Sequence, residues 1–161
     1  MNLQAWQSSF ATLASVCATL SGLLFVALSI KLGRVGAQER PMLLSVAKGS
    51  FSEFIGALLI ALMMQAPDAS THPVPWMLLI IMMARVWWHI SHFRHARRNL
   101  SLYILYREFL LPLLSTFGLA LAAYHAVNGR IFGPMIYWTV VMIMCSGCQK
   151  SWRILLRELE R

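Results

Sequence analysis

The stretch SSFATLASVCATLSGLLFVALSI, Ser8–Ile30, decides the fold class. It contains no charged side chain, and none occurs anywhere from Met1 to Ile30. About 20 apolar residues at 1.5 Å rise span the hydrocarbon core of a bilayer as one helix. Lys31, Gly33 and Arg34 end the run. A backbone in lipid must satisfy its own hydrogen bonds, which leaves a helix as the form of this segment. A secretory signal needs a basic start and a small-residue cleavage site. Both are absent, and Val16 is too bulky for a lipoprotein signal at Cys17, so the first helix is expected to be retained.

The rest of the chain repeats the pattern. Hydrophobic residues make up 58% and charged residues 12%, against about 45–50% and about 25% in soluble domains. The expectation is an all-α, integral membrane helical bundle in one transmembrane domain, 1–161. Its five spans fall near 8–30, 43–65, 75–93, 105–127 and 134–150, followed by an amphipathic cytoplasmic tail at 151–161. Trp152, Leu155, Leu156 and Leu159 share one face of that tail at helical spacing. It can extend the fifth helix, dock a partner or lie on the leaflet, and the leaflet is the expectation.

Orientation follows from the basic residues, which mark cytoplasmic loops. Lys31, Arg34 and Arg40 lie in the first loop, Arg94, Arg97 and Arg98 in the third, and Lys150, Arg153, Arg157 and Arg161 after the fifth span. The alternate segments contain only Arg130. N-terminus out and C-terminus in is the consistent reading. The net charge of +8 is thereby explained without nucleic acid, for which no binding module is visible.

Ionisable groups inside a span are costly and therefore informative. Glu53 lies 12 residues before Gln65, about 18 Å from the outer end. Arg85 lies 10 residues after Pro75, about 15 Å from the same side. In an antiparallel hairpin of the second and third helices these charges reach similar depth and are expected to pair. The pair serves either as a structural lock or as part of an ion pathway. His89 and His92 continue the polar stripe at i+4 and i+7 from Arg85, and Glu108 is a candidate partner for His92 or Arg107. Gly49, Glu53, Gly56 and Ala57 share a face that lets neighbours come close.

Small residues form two packing seams, Ala14, Ala18 and Gly22 in the first helix and Gly118, Ala122 and Ala126 in the fourth. Thr12, Ser15, Thr19, Gly22 and Ser29 add a hydroxyl-rich line, which reads as packing within or between subunits, or as a pore lining. Cys145 and Cys148 have the spacing of a thiol pair or half a metal site. No matching second pair is present, and the sequence calls for no cofactor or metal. Walker loops, dinucleotide fingerprints and nucleophile elbows are absent.

Thr19–Ile30, TLSGLLFVALSI, resembles the first helix of small, largely uncharacterised bacterial multi-span proteins, some of which bear names linking them to a membrane protease. The resemblance covers one helix and implies a bacterial inner membrane, with no activity or site residue attached. The expected role is non-enzymatic, through assembly with itself or a membrane partner in the lipid bilayer. A small ion channel or proton-coupled transporter is the alternative, and a membrane thiol-redox or metal/haem protein the third.

Overall fold

The computed structural model describes residues 4–33, 36, 40–66, 73–96 and 102–159, with side chains outside the description at 4, 42, 46, 73, 88–89, 92–96, 102–109 and 153–159. The described residues form five helices and no strand: α1 Gln4–Leu32, α2 Arg40–Met63, α3 Pro73–Ala96, α4 Leu102–Val127 and α5 Gly133–Leu159. Among them, α1 over Ala5–Leu32, α2 over Leu43–Met63 and α4 over Leu110–Val127 are long and apolar enough to cross a membrane. In α3 the corresponding apolar stretch is shorter, Val74–Trp87.

Packing explains why α5 is more polar than its neighbours. It lies against α2, α4 and α1, and α2–α5 is the most extensive helix contact in the bundle. One stripe of α5, comprising Ile136, Thr139, Val140, Ile143 and Ser146, is buried. A helix screened on three sides does not need the uniform apolarity that a lipid-facing helix requires. The core also takes in Phe10, Leu13 and Cys17 of α1, Ile60 of α2 and Met64 just after it, Leu78 of α3 and Leu119 of α4. At one end, Trp6 and Phe10 of α1 meet the ring of Tyr137 on α5, at centroid distances of 5.5 and 6.1 Å.

Two features correct or refine the sequence reading. Through Leu159 the tail continues α5 as one helix without a break. Its described part is therefore an extension of the fifth helix and not a separate surface element. The hairpin of α2 and α3 is also much looser than expected. These two helices scarcely touch, and α3 packs mainly on α4.

The α4–α5 connection is short because α4 ends in a Schellman motif. Gly129 takes φ 73°, a conformation open to glycine at little cost. Its N–H donates to Ala126 O at 3.0 Å, and the Arg130 N–H donates to His125 O at 2.9 Å. Both bonds satisfy carbonyls that the helix end would otherwise leave unpaired. Pro134 then sits in the first turn of α5, where its missing N–H costs nothing.

Close approach sets the helix spacing. A Cβ on Gly147 would lie 2.7 Å from Phe54 Cε1, and one on Gly118 would lie 2.8 Å from Thr139 Oγ1. The first absent methyl lets α2 meet α5, and the second lets α4 meet α5. Gly118, Ala122 and Ala126 thus form a packing seam, with both alanines buried. On α1 only Ala14 of its seam is buried, whereas Ala18 and Gly22 lie on the outside of the bundle.

Gly147→Ala is expected to lower stability by about 1–3 kcal/mol through overpacking against the Phe54 ring. At Gly49 an added Cβ would meet Lys150 Cδ at an ordinary 3.9 Å. Gly49→Ala should therefore be neutral or stabilising by up to about 1 kcal/mol. Thermal unfolding of both variants in the same detergent checks the contrast; equal effects would refute this packing account.

Candidate functional site

The polar site is built on the middle of α2. Glu53 is 4% exposed and stands among buried neighbours Ser50, Phe54 and Ala57. Its carboxylate has one cation on each oxygen. Arg85 Nη1 of α3 donates to Oε2, and Lys150 Nζ of α5 donates to Oε1 at 2.7 Å. The other arm of the guanidinium, Nη2, donates to Ser115 Oγ of α4 at 3.0 Å. The Ser115 hydroxyl in turn donates a hydrogen bond to Pro112 O at 2.9 Å. Four helices are thereby joined through one carboxylate.

Local sequence makes room for this arrangement. Gly49 lies one turn before Glu53 and faces the Lys150 stem at 3.9 Å from a notional Cβ. Gly56 lies nearly a turn after Glu53 and stands 4.0 Å, measured the same way, from Arg85 Nη1. A glycine flanks the carboxylate on each side, and each faces one of the two cations. Pro112 contributes from α4 because its carbonyl receives both Ser115 Oγ and, at 2.7 Å, Thr116 Oγ1.

With one acid and two bases the site carries a formal charge of +1. Removing each ion from water costs several kcal/mol, and pairing returns that cost only with good geometry and further hydrogen bonds. Both carboxylate oxygens are engaged, which meets the condition for Glu53. Arg85 Nε remains buried without a protein partner, as does Ser146 Oγ on α5, among the described residues.

Because α2 and α3 diverge, a cleft of about 330 Å³ opens between them. Glu53 and Gly56 line it from α2, and Ile80, Ala84 and Arg85 from α3. One side of the ion pair is thus reached laterally, between two helices.

The structure brings Glu53 and Arg85 together as the sequence implied. Lys150 and Ser115 are additions. Lys150 reads from sequence as the first positive charge of the cytoplasmic tail. It lies 16 residues after Pro134, about 24 Å along the helix, some 6 Å deeper than Glu53 on the same scale. Lysine stems usually carry the ammonium outward to water; this one turns inward and closes the difference. The available signal was valence, since a buried carboxylate has more acceptor sites than one guanidinium arm fills.

The side chains of His89, His92, Arg107 and Glu108 lie outside the described residues. Cys145 and Cys148 are free and exposed, and Cys17 is free and buried. No group of three or more His, Cys, Asp or Glu capable of holding a metal occurs among the described residues. Gly147, inside the Cys145–Cys148 segment, supplies the close contact with Phe54. No protein-family model, curated protein or solved structure matches the chain.

Glu53→Ala strands two cations and is expected to cost about 3–5 kcal/mol. Lys150→Met should cost less, because Arg85 still neutralises Glu53. Changing Arg85 to Met beside Glu53→Ala should restore part of the loss, and adding Lys150→Met should restore more. A thermodynamic cycle over these variants checks the order. Strictly additive effects would show that the three charges do not interact.

Proposed function

We propose that this chain is a multi-pass protein of a bacterial cytoplasmic membrane that works by assembling, as a homo-oligomer or as a subunit of a membrane complex. In this reading all five helices cross the bilayer with the N-terminus outside and the C-terminus in the cytoplasm. The three long apolar helices and the one-sided distribution of Lys and Arg support that placement.

The observation that carries the assembly reading is the outer face of α1. Thr12, Ser15, Ala18, Thr19, Gly22 and Ser29 all lie exposed on it. Their hydroxyls are already satisfied within the helix: Thr12 to Ser8 O, Ser15 to Ala11 O, Thr19 to Ser15 O and Ser29 to Phe25 O, at 2.8–3.1 Å. A Cβ on Gly22 would meet nothing within 4 Å. Such a face costs little in lipid and lets another helix approach to backbone distance. Phe25 lies on the same face beyond Gly22, and elsewhere the bundle surface carries large side chains, including Leu113, Phe117 and Trp138. The polar site suits a rigid assembling unit, since Glu53 ties three other helices to α2 directly or through Arg85.

The lateral cleft at Glu53 and Arg85 supports a second reading, a small ion or proton pathway. There Glu53 is the cation-attracting group and Arg85 its counter-charge.

Disulfide trapping in native membranes tests assembly. In a variant with Cys17, Cys145 and Cys148 replaced by alanine, Ser15→Cys, Thr19→Cys or Gly22→Cys should yield cross-linked dimers under mild oxidation. Leu113→Cys on the exposed face of α4 should not. Equal trapping at both faces, or none at α1, would refute the α1 interface. Purified protein in liposomes should be silent to protons and ions; flux that Glu53→Gln removes would establish the pathway reading instead.

A further inference from the structure

The inward seam of α1 runs through Phe10, Leu13, Ala14, Cys17 and Ser21, all buried. It continues through Leu24, Leu28 and Lys31 at the same spacing, but these residues are only partly buried. Over its last three turns this inward face borders open space in place of close-packed side chains. The result is a cavity of about 260 Å³ between α1 and α5. Leu20, Leu24 and Leu28 form the α1 wall, and Phe54 of α2 and Cys148 and Trp152 of α5 line the rest.

Chemistry and length identify the occupant. Lys31, at the end of α1, is the one charged residue lining the cavity among the described residues, and Ser151 and Trp152 stand at the α5 side. From Leu20 to Lys31 the wall rises about 16 Å. Half of the roughly 30 Å hydrocarbon core is about 15 Å. An apolar groove one leaflet long, ending in a cation, complements an anionic amphiphile with a long acyl chain. Trp152 lies 59% exposed at this end, and tryptophan favours the headgroup boundary.

We propose that this groove is a selective site for an anionic phospholipid, with one acyl chain along Leu20–Leu28 and its phosphate at Lys31. The proposal rests on the membrane placement, and not on the α1 interface, which uses the opposite face of the helix. In a bilayer some acyl chain fills any such groove; the lysine makes the choice of headgroup. The ammonium has three donors, so a phosphate can share it with a protein acceptor.

The test uses the full chain in mild detergent with equal amounts of phosphatidylglycerol and phosphatidylcholine of the same acyl composition. Retained lipid is counted by native mass spectrometry. Phosphatidylglycerol should be retained about fivefold more, the effect of one lysine beside the headgroup. Lys31→Gln should bring the two lipids to parity, whereas Arg130→Gln should leave the preference intact. Leu24→Trp and Ala27→Leu, which fill the groove, should each lower retention of both lipids. Parity in the unmodified chain, a preference that survives Lys31→Gln, or full retention in both filled variants overturns the proposal. Loss of the membrane placement would show separately, as release of the chain from vesicles by alkaline carbonate, and would remove the proposal with it.

Discussion

A carboxylate in the interior of an apolar bundle constrains every helix around it. Glu53 must keep donors on both oxygens, because an unpaired charge there would outweigh the gain from any single packing contact. Arg85 and Lys150 meet that requirement from opposite sides, and Ser115 holds the second arm of the guanidinium. Each partner fixes the rotation of its helix about its own axis. A shift of one residue in α3 or α5 would turn a cation into lipid or into the core. Buried ion pairs are poor sources of net stability, and apolar replacements of similar volume often do as well. Their stronger effect here is on register: α2 and α3 scarcely touch, yet they are linked at a defined level.

Steric fit supplies what the charges do not. Phe54, adjacent to Glu53, meets α5 at Gly147, three residues before Lys150. The close apolar contact and the ion pair therefore lie within one turn of each other on both helices and reinforce one alignment. Across α5, Gly118 and Thr139 set the approach of α4. The centrality of α5 follows from this arrangement. It bears Ser146, Lys150 and Ser151 because its neighbours screen it, whereas α1, with a broad outer surface, carries no charge before Lys31.

The two faces of α1 are chemically distinct. Its inward face is apolar and enters the core over its first half. Over Thr12–Gly22 the outward face is small and hydroxyl-bearing, with each hydroxyl bonded back to the preceding turn. These properties separate a surface suited to another helix from a groove suited to a lipid chain, on opposite sides of one helix.

Much of the architecture was legible without coordinates. Ser8–Ile30 fixes an apolar helix by composition alone, since lipid leaves the backbone few alternatives. The depth of Glu53 and Arg85 follows from a constant rise per residue, so their pairing could be inferred by counting. Sequence also marked Gly118, Ala122 and Ala126 as a packing seam. Three features required the tertiary structure. Lys150 resembles any cation at a span boundary, and only the position of α5 beside α2 turns its stem inward. Ser115 is one hydroxyl among many until Arg85 selects it. The neighbour relations among helices, with α2 on α5 and α3 on α4, depend on how side-chain volumes interlock around Gly147 and Gly118. Periodicity along one helix defines its faces; it carries no information about which other helix meets them.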